Sequence, residues 1–293
     1  MAKNIMNIVL LTFGKNLENH YQAAFCILTF LKDKNIKNII VLTDSPEFYQ
    51  FISEYVKIIL ITEEILSEWQ GEYRFFWRIK IKALEFIFRK YPDEHLFYVD
   101  SDIFLAKNLD LIHRGLDKGR SFMHKKEYLF SDKGDSNTER KMIACLNNKI
   151  FSGIQFNENT PMWNAGVIAL PKEKAAALIN LSLNICDEIC ATDCPRRLVE
   201  QLSFSVALNH LTELFACEDE IGHYWGNKIE WNEMISQFFI QKSLKKMTVK
   251  DCIRQLQDFD WQSIPLEKKV RSTNKRFKQI IDKFFPPKSI RFF

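Results

Sequence analysis

Short apolar runs alternate with helical spacing through the first hundred residues. Asn7 to Phe13 is a β-branched, apolar run and predicts a buried strand. Tyr21 to Leu31 places Ala24, Ile27, Leu28 and Leu31 at helical spacing. Lys37 to Thr43 predicts a second buried strand, closed by Asp44-Ser45-Pro46, and Val56 to Ile61 a third. Glu72 to Lys90 predicts a helix with Phe76, Ile79, Ala83, Phe86 and Ile87 on one face, ended by Tyr91-Pro92-Asp93. His95 to Val99 predicts a fourth strand. Repeated strand and helix alternation of this kind specifies an α/β domain built on a mostly parallel sheet.

The second half is less regular. Arg120 to His124 and Glu213 to Cys217 read as strands, and Ser131 to Asn148 as a polar insertion containing a short helix. Met162 to Leu170 predicts one strand, with Pro171 suited to the start of the helix that follows. Helices are expected over Glu173 to Cys190 and Arg196 to Leu208, and a helical pattern beyond Gly226. The expected division is a domain over 1–226 and a helical region over 227–293.

Composition narrows the class. The chain has 293 residues, 46% hydrophobic and 27% charged, enough for a sizeable core. With only 9 Gly and 8 Pro, long linkers and Gly-rich phosphate loops are not expected. No apolar run approaches the ~20 residues that span a bilayer, and the N-terminal run is too short for a signal peptide. The 7 cysteines are odd in number and suggest a reducing, cytoplasmic setting. Cys186, Cys190 and Cys194 share one helix face, but no fourth ligand stands at a usual spacing, so they read as small buried hydrophobes.

The net charge of +4 is uneven, because the segment 267–293 alone carries +7. On a helix, Val270, Phe277, Ile281 and Phe284 would form one stripe among Lys and Arg. That pattern suits either an anionic membrane surface, at ~1 kcal/mol per nearby basic residue, or packing on the domain with a solvated basic face. No nucleic-acid-binding motif accompanies the charge, so nucleic acid is not an expected partner.

Candidate chemistry centres on Asp100-Ser101-Asp102, directly after the fourth strand. Open α/β sheets bind ligands at the carboxyl edge of their strands. Two hard oxygen ligands there suit Mg²⁺ or Mn²⁺, with substrate phosphates completing the shell. The bland alternative is a pair of turn or cap aspartates.

This pattern resembles the GT-A-fold glycosyltransferases that use nucleotide sugars, glycogenin and bacterial lipo-oligosaccharide galactosyltransferases in particular. The resemblance spans about residues 5 to 231 and rests on the order of five motifs. Beyond the aspartates these are the basic helix with Arg74, Arg78, Lys80 and Lys82; Asn164-Ala165-Gly166-Val167; Glu200-Gln201; and His223-Tyr224-Trp225-Gly226-Asn227-Lys228. It implies a GT-A-type, Rossmann-like, mostly parallel sheet flanked by helices, with a helical C-terminal extension. It implies Asp100, Asp102 and His223 as metal ligands. Arg78, Lys82, Ser101 and Lys228 are implied at the donor diphosphate, and Asn164, Glu200 and Gln201 around the transferred sugar. Asp44 is a candidate for reading the base. Two departures stand out: the last motif has one residue fewer between Gly226 and Lys228, and Glu replaces Asp at Glu200.

The same residues have a logic of their own. A departing diphosphate needs cations around it, and amides both donate to and accept from sugar hydroxyls. The expected activity is transfer of a hexosyl unit from a nucleotide diphosphate sugar, UDP-linked first, to a glycan or glycolipid acceptor, by an enzyme on the cytoplasmic side and peripheral to the membrane. Two alternatives remain. A haloacid-dehalogenase-like phosphatase also uses Asp-x-Asp after a strand, but expects Thr or Val where this chain has Phe104. A catalytically silent relative would bind nucleotide or glycan without turnover.

Overall fold

The computed structural model describes residues 6–33, 35–132 and 136–268. In chain order these form β1 (Met6–Leu11), α1 (Leu17–Phe30), β2 (Ile36–Thr43), β3 (Lys57–Leu60), α2 (Glu63–Gln70), α3 (Arg78–Lys90), β4 (His95–Val99) and β5 (Ile103–Leu105). Then come α4 (Asp110–Leu116), β6 (Ser121–Met123), β7 (Lys126–Leu129), α5 (Asn137–Leu146), β8 (Ile150–Phe151), β9 (Ile154–Gln155), β10 (Pro161–Trp163) and β11 (Val167–Leu170). The chain continues through α6 (Lys172–Cys190), α7 (Val199–Leu211), β12 (Leu214–Ala216), β13 (Ile221–His223), α8 (Lys228–Leu244) and α9 (Val249–Gln257).

Seven strands form one sheet in the order β12-β6-β11-β4-β1-β2-β3. Every pairing in it is parallel except those of β11, which runs antiparallel between β4 and β6. The expected α/β class with a mostly parallel sheet is what the chain forms. Strand side chains alternate faces, so β4 sends Leu96 and Tyr98 into one hydrophobic cluster and Phe97 and Val99 into the other. Helices α3, α6 and α7 cover the first face, and α1, α4, α8 and α9 the second. Both faces are therefore dry, as continuous apolar strands require.

Two expected elements come out differently. The helix expected from Glu72 begins only at Arg78, because α2 ends on Gly71 at φ 68° and Arg74 adopts φ 46°. Phe76 thus lies before the helix and is exposed, and Phe86 is exposed on it. The strand expected over Met162 to Leu170 is two strands, β10 and β11, parted at Asn164-Ala165-Gly166. Beyond α9 the chain is not helical up to Lys268. The amphipathic pattern over 267–293 lies outside the described residues except for Glu267 and Lys268. No helix among the described residues is long and apolar enough to cross a membrane.

Candidate active site

Asp100, Ser101 and Asp102 follow β4, near the middle of the sheet, and open onto a cleft of ≈ 690 Å³. A second short pairing brings the remaining motif to them. Strand β13 runs antiparallel to β5 and sets His223 opposite Ile103, one residue from Asp102. The Tyr224 N–H donates to the Asp102 carbonyl at 3.2 Å, which fixes that crossing. Gly222 is obligatory at it, since a Cβ there would lie 2.1 Å from the Phe104 ring. Phe104 itself is buried and stacked on Trp231 and Trp261. The position at which a phosphatase of the haloacid-dehalogenase type is expected to carry Thr or Val is therefore filled by a large aromatic side chain of the core.

Ligand atoms of Asp100, Asp102 and His223 all lie within 4.8 Å of one another. The side chain of Asp102 is nearly buried, with His223 Nε2 at 3.3 Å from Oδ1 and Lys228 Nζ at 2.8 Å from Oδ2. Burial pushes its carboxyl up, but the contacts with His223 and Lys228 outweigh burial and hold it well below the usual carboxylate range. Asn164 Oδ1 accepts from the Gly166 N–H at 3.0 Å and lies 3.1 Å from His223 Nδ1. An amide oxygen accepts only, so Nδ1 carries a proton, and Nε2 is the ring nitrogen turned to Asp102. Nε2 and the Asp102 carboxylate can share a proton between them, and once that proton leaves the two are placed to share a cation instead. The donor set, two carboxylates and one imidazole, therefore fits Mg²⁺ or Mn²⁺.

Asp100 is held otherwise. Its Oδ1 accepts from the Tyr98 hydroxyl at 2.8 Å and lies 3.2 Å from Lys80 Nζ. Lys80 is buried, and its ammonium also donates to the Ala165 carbonyl at 3.1 Å and pairs with Glu200 Oε1 at 3.1 Å. Burial pulls the Lys80 ammonium down, but the charges of Asp100 and Glu200 outweigh it and raise its pKa. Burial is also the main reason the Glu200 carboxyl is raised, against the pull of Lys80.

The structure thus brings Asp100, Ser101, Asp102, Asn164, Glu200, Gln201, His223 and Lys228 to one cleft. It does not bring Arg78 or Lys82 there. Arg78 makes a two-pronged contact with Asp187, at 2.7 and 2.9 Å, and donates to the Trp69 carbonyl. Lys82 pairs with Glu85 on its own helix. Neither expected diphosphate contact lines the cleft, and the basic side chain that α3 turns inward is Lys80. Asp44 does not line the cleft either, since its carboxylate accepts the Gly14 N–H at 2.9 Å and anchors the loop carrying Thr12 and Phe13, which do.

One contributor carried no motif, and another was not singled out within its motif. Glu127 of β7 accepts from Asn164 Nδ2 at 2.9 Å and from Gln201 Nε2 at 2.7 Å. Nothing in its local sequence marks it, because β7 is a short strand outside the main sheet. Lys80 did leave a signal, as a lone cation within the buried stripe Ile79, Lys80, Ala83, Leu84, Ile87. At the rim, Phe76, Trp77 and Trp225 line the cleft with 43%, 47% and 49% of their surface exposed, enough aromatic face to stack on a ring.

No model of a known protein family matches the chain, and no curated protein matches it in sequence. Among solved structures it is similar to mouse xyloside xylosyltransferase 1 in its apo form, at 12% identity, covering 72% of this chain and 84% of that chain with a TM-score of 0.45. At that distance the functional reading rests on the cleft itself.

Proposed function

We propose that the chain is a metal-assisted glycosyltransferase that moves a hexosyl unit from a nucleotide diphosphate sugar to a glycan or glycolipid acceptor. One observation carries the reading: Asp100, Asp102 and His223 converge at the carboxyl edge of a mostly parallel sheet, in a cleft that also holds Lys228. Asp100, Asp102 and His223 would hold Mg²⁺ or Mn²⁺, with Ser101 beside them. Bound there, the cation supplies Lewis acidity that neutralises charge on a departing diphosphate.

The chain's own groups do the rest. Lys228 is half-exposed and stands at the first position of α8. It can turn from Asp102 to a phosphate oxygen, where the helix N-terminus also favours negative charge. Asn164 and Gln201 present amides to sugar hydroxyls, with Glu127 between them. Glu200 holds Lys80 against the cleft wall, so a fixed positive charge lies beside Asp100. Thr12 and Phe13 offer the first surface for the base, with Asp44 setting their loop, and UDP-sugars are the first donors to test. The 267–293 segment suits an anionic membrane surface, which would favour a lipid-linked acceptor.

Thermal-shift titration with UDP-hexoses, with and without Mn²⁺, tests this on wild type and Asp102→Ala. Ligand at 100 times its Kd stabilises by about 2.7 kcal/mol, and the shift is expected only with Mn²⁺ and only in wild type. Stabilisation indifferent to both Mn²⁺ and Asp102 would sink the reading. Flotation of the full chain and of a chain ending at Leu266 on phosphatidylserine vesicles tests the tail, and equal binding rejects it.

A further inference from the structure

Glu127 is a carboxylate with no assigned part in the metal triad, yet it closes a continuous chain of hydrogen bonds that ends there. Its Oε1 accepts from Asn164 Nδ2 at 2.9 Å. Asn164 Oδ1 in turn faces His223 Nδ1 at 3.1 Å, and His223 Nε2 faces Asp102 Oδ1 at 3.3 Å. The other Glu127 oxygen is occupied by Gln201 Nε2 at 2.7 Å, which fixes the carboxylate plane. Glu127 is exposed, whereas Asn164 and His223 are buried, with 7% and 5% of their surface accessible.

An imidazole that binds a divalent cation through Nε2 must keep its proton on Nδ1. An amide decides this only if its oxygen, not its nitrogen, faces the ring. In the flipped orientation the Asn164 NH₂ would meet the Gly166 N–H, donor against donor, and would present a donor to His223 that favours the wrong tautomer. A carboxylate has no donor when ionised, so it accepts only from the NH₂ end and excludes the flip. Gly166 completes the arrangement, because a Cβ there would lie 2.4 Å from His223 Cε1 and 2.6 Å from Nδ1.

We propose that Glu127 is a positioning residue that, through Asn164, holds His223 as the Nδ1–H tautomer and so keeps Nε2 available to a divalent cation. This rests on the metal-site reading above for its purpose but not for its geometry. It also assigns Asn164 a second task, in that the amide expected at the sugar is the link by which the wall carrying Glu127 and Gln201 is coupled to the wall carrying His223 and Asp102.

The test uses the full chain with ¹⁵N-labelled histidine, wild type against Glu127→Leu and Glu127→Gln. Glutamine keeps an acceptor without the charge, so it separates hydrogen bonding from electrostatics, and an exposed site tolerates both. In metal-free protein, at a pH where the His223 ring is neutral, long-range ¹H–¹⁵N spectra are expected to show it as Nδ1–H in wild type and Glu127→Gln, and as a mixture in Glu127→Leu. Mn²⁺ affinity by EPR is expected to fall about 10-fold in Glu127→Leu, the lower end of the cost of losing a metal-bound histidine's own partner, since Glu127 acts one hydrogen bond further out through Asn164, and to stay within about threefold in Glu127→Gln. Wild-type His223 in the Nε2–H form overturns the proposal. So does Glu127→Leu with unchanged tautomer, since Gly166 alone would then orient Asn164. A tautomer shift in Glu127→Leu without Mn²⁺ binding in wild type supports the relay and counts against the metal reading alone.

Discussion

The two aspartates of one motif, two residues apart, are neutralised in opposite ways. Asp100 keeps 29% of its side-chain surface and is paired with Lys80, which keeps 6%. Asp102 keeps 7% and is paired with Lys228, which keeps 48%. In the first pair the cation is locked inside, tied also to Glu200 and the Ala165 carbonyl. In the second the carboxylate is locked and the cation is at the surface. A buried cation has nowhere to go, because its partners are its only solvent. A half-exposed lysine on a flexible stem gives up its partner for modest cost. The Lys80 side therefore supplies fixed charge, and the Lys228 side supplies charge that can be exchanged for a metal or a phosphate.

The largest expected effect breaks the fixed side. Lys80→Met leaves Glu200 buried and unpaired with Asp100 close by, and should lower stability by about 3–5 kcal/mol. Urea denaturation followed by circular dichroism measures it. Adding Glu200→Leu should restore part of the loss, since both members of the buried pair are then apolar. Equal stability of wild type and Lys80→Met would mean that this pair is not the fixed charge described.

Acid distinguishes the two sides next. Asp102 is depressed, so its contribution is full above the unfolded value of about 3.9 and is lost as pH falls towards its folded value. Glu200 is raised, so the sign reverses. The folded state holds its proton more tightly, and ionisation costs stability as pH climbs from the unfolded value, about 4.3, through the raised one. Asp102→Asn should therefore flatten the loss of stability below about pH 4, and Glu200→Gln should flatten a loss on the alkaline side of its unfolded value. Denaturation midpoints from pH 2.5 to 7 in the three proteins decide it, and parallel curves would refute both assignments.

The exchangeable side should respond in binding more than in stability. Lys228→Met is expected to change folding stability by under about 1 kcal/mol, as for other half-exposed pairs. It should tighten Mn²⁺ binding in the absence of nucleotide, because Asp102 loses its competing cation. It should weaken UDP by about tenfold, or 1.4 kcal/mol. Calorimetric titration of each ligand separately reads both signs, and a variant weakened for both ligands would make Lys228 part of the cage rather than its placeholder.

Much of this was legible beforehand, and the reason differs by residue. The β4 run His95 to Val99 is apolar on both faces, so a buried strand ending at Asp100 follows from pattern alone. His223 and Lys228 are not adjacent to the aspartates in sequence, and they were reachable only through a resemblance in motif order, because the β5–β13 crossing that joins them leaves no periodic trace. The helix α3 misled through its start. Read from Glu72, its basic residues look equivalent, whereas the turn at Gly71 and Arg74 delays the helix to Arg78 and puts Lys80 on the buried stripe. Glu127 was invisible, because an exposed carboxylate in a short strand acquires its role only from two amides 37 and 74 residues away.

The smallest expected effect tests the locked cation against its neighbour. Lys82 is two residues from Lys80 and carries the same charge, but on a helix two positions turn a side chain to the far side. There it meets Glu85, which Arg89 also contacts. Lys82→Gln leaves Glu85 with Arg89, so stability should move by no more than about 0.5 kcal/mol. UDP and Mn²⁺ affinities should be unchanged within error, since Lys82 does not line the cleft. Lys80→Gln, measured alongside, should lower both stability and ligand affinity. If Lys82→Gln weakened UDP as much as Lys80→Gln does, α3 would have to rotate on binding, and the charge beside Asp100 would belong with the exchangeable side.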